Sequence, residues 1–379
     1  MPKFHRSHRT LSALVLLTAV GLTAACGSSG TTAATATTVS NSSQQAAVKA
    51  AIATVAQYEK PQPAIVVPKL TKPVPKNVRL AVLTCVVPVC TDGTNPAVAA
   101  ASKLGWSVYQ TQVQVTTTSY IAGWNAVLEH NPTAIIYVAE FPSNVVASQI
   151  AEARSRHIEL VAVSYNAPSL AASGASYAVS GAPELALSGQ LMGDVVAANA
   201  GGPTTALFVW DPSLSNTLTP VKNGFTSTAT PAGVQVDTLN VSIADVGQAV
   251  PSEIVTYLQA HPDVKYLVMS LADFNEGVPQ ALQAVGLEKS VKIVSRAPEG
   301  GDLAQIKSGE QFASVAEEVG SAGYRAVDDV IRLVSGGKPV DADPAGWHQI
   351  MVRSNITETT GPQPTPGVPD VFYTAWGVS

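Results

Sequence analysis

The chain is short of most of the residues that announce a function. Of its 379 residues only three are cysteines, 13% carry charge and 6% are aromatic. Lys and Arg number 22 against 27 acids, so the clustered positive charge that grips nucleic acid or an anionic bilayer is missing. No stretch reaches the roughly twenty apolar residues that span a bilayer as a helix. G-x-S-x-G, H-E-x-x-H and G-x-x-x-x-G-K-[ST] do not occur, nor does G-x-G-x-x-G after a strand pattern. Beyond the N-terminus the histidines are His130, His157, His261 and His348. The first three close helical patterns, where the helix dipole alone favours them. These absences argue against an enzyme and against a bound cofactor or metal.

What is present starts at the N-terminus. MPKFHRSHRT holds Lys3, Arg6 and Arg9 without an acid, and the apolar LSALVLLTAVGL follows from Leu11 to Leu22. A basic segment, a short apolar core and small residues are the parts of an export signal. LTAA then runs into Cys26, which resembles the lipobox of bacterial lipoproteins; Thr23 stands where Leu is usual. The resemblance implies cleavage after residue 25 and lipidation of Cys26, with the protein held extracytoplasmically on the cell membrane. An ordinary secretory signal with an incidental Cys26 is the alternative. Loss of residues 1–25 leaves 19 basic residues against 27 acidic, a net charge of −8.

From Gly27 to about Ser43 the chain is almost free of large apolar residues and reads as a tether. Gln44 to Tyr58 reads as a short amphipathic helix with Val48, Ile52 and Val55 on one side. Prolines then force an extended approach through residue 76.

Beyond it, short apolar runs alternate with segments of helical period. The runs begin at Val78, Ser107, Ala134, Leu160, Ala206, Val234, Tyr266 and Val291. Continuous apolar strands alternating with helices imply parallel sheets covered on both faces, and the series is long enough for two. A break near Tyr177 to Gly181 precedes a long helix from about Pro183. The expected organisation is α/β, with one lobe over 77–178 plus 318–346, a second over 179–317, and a closing strand and tail over 347–379. Several crossings between lobes make a hinge.

AAASKLGW, NPTAIIYVAEFPSNVVASQIAEARSRHIELVAVSYNAP, KNGF, SLADFNEGVPQALQAVG, LAQIKSG, AGYRAVDDVIRLVSGGKP and the tail FYTAWG follow one another in order. Together they resemble the type I periplasmic binding proteins, in the branch of sugar-type solute-binding proteins of ABC importers. The resemblance spans Val78 to Gly337. It implies two Rossmann-like lobes closing on a small molecule at the carboxyl ends of the strands. It also implies ABC permease subunits as partners, a monomeric state and no nucleic acid. A receptor that signals to a membrane sensor kinase would share the fold and cleft.

Three places depart from the sugar-binding pattern. Val221 stands where an Arg binds sugar hydroxyls, Ala297 beside Arg296 where an Asp follows the fourth strand of the second lobe, and Ser164 where a first-lobe Asp is common. Asp273 is retained. The candidate cleft residues are the aromatics Phe141, Tyr165, Trp210 and Phe274, with Glu140, Asn166, Asp211, Asp273, Asn275 and Arg296 as polar partners. All follow strand ends, and the mix favours a less polar or aromatic compound over an ordinary sugar. Trp124, inside a helical pattern, reads as core.

Cys85 and Cys90 lie five apart after the first strand, with Pro88 between them. Outside the cytoplasm this pair is expected to form a disulfide stiffening a loop at the cleft rim. A zinc site would need more ligands, and a thiol-disulfide catalyst would want C-x-x-C.

Overall fold

Every apolar strand has to serve two cores. In β1 (Arg79–Cys85), Leu80 and Val82 face one cluster while Ala81 and Leu83 face another. In β6 (Thr204–Trp210), Ala206 and Phe208 divide in the same way from Leu207 and Val209. Side chains alternate across a pleated strand, so a run apolar at every position lies between two covered faces. In the computed structural model, which describes residues 32–164, 174–339, 346–361 and 364–378, this produces two α/β lobes. Cys26, Tyr165 and Asn166 lie outside the described residues.

The first sheet has the order β2-β1-β3-β4-β5 and is parallel throughout, with β2 Ser107–Val113, β3 Ala134–Val138, β4 Glu159–Val163 and β5 Tyr177–Val179. One face packs on α2 (Pro88–Lys103), the other on α3 (Thr117–Glu129) and α4 (Ala147–Ser155). Trp124 is fully buried in the latter core. The second sheet runs β11-β10-β9-β8-β6-β7, with β7 Val234–Asn240, β8 Val264–Met269, β9 Lys292–Arg296 and β10 Ala313–Glu317. Among the described residues only β11 (His348–Met351) is antiparallel, pairing Val315 with Ile350.

Helix α5 (Ala182–Ala200) carries the chain into the second lobe and packs closely on α6 (Ser215–Ala229). Glycine permits the contact, because a Cβ on Gly189 would collide with the Val221 carbonyl and one on Gly224 with that of Ala186. Around the second sheet lie α7 (Val250–Ala260), α8 (Val278–Ala284) and α9 (Gly300–Ser308). The return is made by α10 (Val319–Val334), which packs on α2. Its buried Arg325 donates to both carboxylate oxygens of Glu184 at the start of α5, at 3.0 and 3.1 Å, and also pairs with Glu318. The two crossings are thereby clasped together.

The two ends of the chain each touch both lobes. The tail beyond Trp347 supplies β11 to the second sheet, then α11 (Asp370–Trp376), whose Phe372 and Trp376 enter the first lobe's core. Helical backbone begins at Thr32, well before Gln44, in α1 (Thr32–Tyr58). The expected tether has no Pro or Gly between Thr31 and Ser43 to break a helix, although Thr and Ser, weaker helix formers, outnumber Ala there. Within the compact unit Ser42–Ser379, α1 packs on the second lobe. Ala51 is buried with Ala197 and Ala232, and the Glu59 carbonyl accepts from Asn355. The proline segment then joins the first lobe, with Ile65 in its core and Leu70 N–H donating to the Ala375 carbonyl.

Candidate functional site

Parallel strands all end on the same side of their sheet, so the loops after β1, β3 and β4 gather together opposite those after β6, β8 and β9. Between them lies a narrow cavity of about 70 Å³. The first lobe contributes Val87, Val89, Val115, Val138 and Glu140; the second contributes Leu214, Thr217, Ile243, Leu271 and Arg296. Asn216 bridges the lobes, its Nδ2 donating to the Ala139 carbonyl at 2.8 Å. Val87, Val89 and Val115 pack against the second lobe's core.

The cysteine pair stands on this wall, though not on a loop. Cys85 ends β1 and Cys90 lies in the first turn of α2, joined by a disulfide with a Cα–Cα distance of 5.5 Å. Pro88 is the reason for the early helix start: its fixed φ suits the first helical position, and it has no N–H to leave unpaired. With Glu140 the two sulfurs form a three-donor cluster within 4.8 Å. As a disulfide they offer apolar surface instead of thiolates, in a small cluster with Val138.

Glu140, two residues beyond β3, is 4% exposed, and its Oε2 has no hydrogen-bond partner. Burial pushes its carboxyl up to about 8. Arg296 closes β9 with its Nε donating to the Ser270 carbonyl at 2.8 Å and its Nη1 paired with Glu317. Glu317, the last residue of β10, also accepts from Ser188, whose hydroxyl lies 2.9 Å from His348 Nε2. Burial raises the Glu317 pKa, but Arg296, His348 and these hydrogen bonds outweigh it and bring it below the usual range.

Left-handed backbone marks the strand ends: Ser164 has φ 57°, Ser180 φ 54° and Ala297 φ 51°. Ser164 N–H still reaches the Val179 carbonyl, and Ala297 N–H that of Val315. Each strand makes one more ladder bond and then turns, at a cost of about 1 kcal/mol per non-glycine residue. Ser164 and Ser180 line the cavity; Ala297 faces a small side recess with Asp92 and Glu299.

A second, wider and more open cavity of about 340 Å³ adjoins the first and shares Val87 and Ile243 with it. Asp273, Asn275, Glu276, Glu299 and Asp302 line it. Burial, reinforced by neighbouring acids for the first two, raises Asp273 to about 7 and Glu299 to about 8; burial raises Asp302 to about 6. Asn275 Nδ2 donates to Gln305 and Gln311 at 2.6 and 2.9 Å.

The candidate residues therefore separate. Glu140 and Arg296 line the inner cavity, and Asp273 and Asn275 the outer one. Phe274 is fully buried in the second lobe's core, and Phe141 packs 5.3 Å from Tyr120 in the first. Both fill space beneath loops and line neither cavity. Trp210 is also outside them, with Nε1 donating to Asn240 at 2.8 Å and Lys222 Nζ 4.2 Å from its ring. Asp211 is a cap: its carboxylate accepts from Ser213 N–H at 2.8 Å and Ile243 N–H at 2.9 Å. Val221 is fully buried in the second lobe's core beside α5 and lines neither cavity, whereas Thr217, one turn earlier on α6, lines the inner one. Sequence reasoning missed the valine wall, Leu214, Thr217 and Glu317. Glu317 had a signal, because it ends β10 as Arg296 ends the neighbouring β9.

Residues 92–338 match the family model described as periplasmic binding protein domain. No curated protein sequence matches the chain. Among solved structures, a glucose-galactose binding protein from Geobacillus stearothermophilus is 18% identical, with a TM-score of 0.66 over 75% of this chain and 100% of that one. An ABC transporter solute-binding protein from Agrobacterium vitis with bound α-D-tagatopyranose has 16% identity and a TM-score of 0.67 over 76% and 100%. Another from Mycobacterium smegmatis, with glycerol, has 16% identity and 0.65 over the same shares. At such identities the likeness lies in the fold.

Proposed function

The chain belongs to the periplasmic binding protein domain family, a family of solute-binding proteins and not of enzymes, and we propose that it is the extracytoplasmic substrate-binding lipoprotein of an ABC importer. The observation that carries this reading is the cavity built from both lobes at the carboxyl ends of their strands. A solute there gains contacts to both lobes only in the closed form, so binding shifts the open and closed populations and a permease can sense the result. Glu140 and Arg296 are the polar contacts of the inner cavity, and Asp273 and Asn275 border the approach. Lipid on Cys26 would hold the protein at the membrane surface, where the described residues contain no helix long and apolar enough to cross.

Thermal unfolding of the protein against sugars, polyols, amino acids, amines and aromatic acids tests the binding role. A ligand at a hundred times its Kd stabilises by about 2.7 kcal/mol and raises the midpoint by several degrees. A flat response throughout would count against solute binding. For the anchor, Cys26→Ser should move the protein from the membrane fraction to the medium or the periplasm; retention on the membrane would rule lipidation out.

A further inference from the structure

We infer that the inner cavity takes an organic ammonium: a small solute with an apolar body and one protonated amine seated on Glu140. The inference deepens the solute-binding reading above and rests on it.

The walls set the body of the ligand. Val87, Val89 and Val115 face Leu214, Ile243 and Leu271 across the cleft, and the disulfide adds apolar surface at the side. Among the described residues the neutral polar side chains of the lining are Ser164, Ser180 and Thr217. A sugar or polyol buried here would leave hydroxyls unmatched, each costing a large part of its binding free energy.

The charges set its head. Among the described residues three charged side chains line the cavity, and two of them answer each other, because Arg296 and Glu317 are paired and Arg296 is further held by the Ser270 carbonyl. Glu140 has no such partner: it is 4% exposed and its Oε2 receives no hydrogen bond. A carboxylate in that position is strongly disfavoured until an opposite charge reaches it. An ammonium supplies the charge and the missing donor together, in a charge-assisted bond about twice as strong as a neutral one. An alcohol supplies only the donor, and a carboxylate brings no positive charge to offset that of Glu140. The uptake of a proton by the empty site, reflected in the raised Glu140 pKa, is the alternative way of quenching the same charge.

The approach points the same way. Asp273, Glu276, Glu299 and Asp302 line the adjoining outer cavity, which shares Val87 and Ile243 with the inner one. Ionised acids at a cleft mouth concentrate cations, and with Glu299 raised to about 8 and Asp273 to about 7 this attraction strengthens as pH rises through those values.

The test uses ligands of one shape that differ in the head group, titrated into the full chain by calorimetry: hexylamine, 1-hexanol and hexanoate, then 2-phenylethylamine and 2-phenylethanol, with D-arabinose and allitol alongside. The expected result is that at least one amine binds and its alcohol counterpart is weaker by about tenfold or more. Hexanoate should not bind. Glu140→Gln, nearly isosteric, should cut amine affinity by about tenfold and shrink the amine-over-alcohol preference accordingly. The inference is overturned if amine and alcohol bind equally, or if Glu140→Gln binds the amine as the parent does. Binding of D-arabinose or allitol with silent amines would also overturn it, yet leave the solute-binding reading intact. Should the variant fold poorly, the head-group series on the unaltered protein decides alone. Silence across the series sinks the ammonium, and the wider panel described above then judges the solute-binding reading separately.

Discussion

The two adjoining cavities differ more from each other than the two lobes do. The inner one is walled by valine, leucine and isoleucine with one unanswered carboxyl; the outer one is open and ringed by acids. Both arise from the same architecture, loops at strand ends, so the fold sets the position and the loop sequence sets the chemistry. A polar group in the inner cavity has to be answered by protein or ligand, whereas water answers much of the outer ring.

Breaking the charge pairing of the inner cavity should have the largest effect. Arg296→Met leaves Glu317 buried beside Ser188 and His348 without its cation and is expected to cost about 3–5 kcal/mol, measured by urea unfolding. A loss below about 1 kcal/mol would mean that water already reaches Glu317.

Acid titration sharpens the contrast next. Glu140, Glu299 and Asp273 have folded-state pKa values above their unfolded ones, so the native state holds more protons between about pH 4.5 and 8. Stability from this source is fully present below the unfolded values and is lost as pH rises through the folded ones. The slope approaches about 1.4 kcal/mol per pH unit for a fully buried group and is smaller for the solvent-facing acids. Glu140→Gln should therefore raise the midpoint at pH 8 and leave it nearly unchanged at pH 4, while Glu299→Gln does the same more weakly. Equal gains from both variants would erase the distinction between the cavities.

Reducing the disulfide comes third. Closing so short a loop is worth about 2 kcal/mol in the chain-entropy model, so a reductant should lower the unfolding midpoint modestly. No change would show that packing around Val138 already fixes the wall. The smallest effect is expected from Ala297→Gly, which relieves a left-handed alanine and should stabilise by up to about 1 kcal/mol in the same urea assay; destabilisation would place the Cβ contacts above the strain.

How far the sequence could be read follows from the physics of each element. The parallel layers were legible because a strand flanked by two cores has to be apolar at every position, as in AIIYV at β3. Glu140 and Arg296 were legible as polar residues at strand ends, a placement that parallel topology converts into a cleft. Phe141 and Phe274 share that placement, and only packing shows that they point beneath their loops. Val221 and Thr217 lie one turn apart on α6, and the sequence does not show which turn reaches the cleft and which is covered by α5. The lone state of Glu140 was invisible: an unpaired carboxyl is defined by every neighbour it lacks, and those come from distant parts of the chain.

The stretch preceding the first strand has a consequence for motion. Its helix is fastened to the second lobe as far as Glu59, and by Ile65 it is already part of the first. Six peptide units, taut, reach about 20 Å at most. Pro61 and Pro63 stiffen them further. The two halves of the molecule are thus on a leash whose length is written in the chain: they can part only until it is straight, and any wider gape has to tear α1 from its seat.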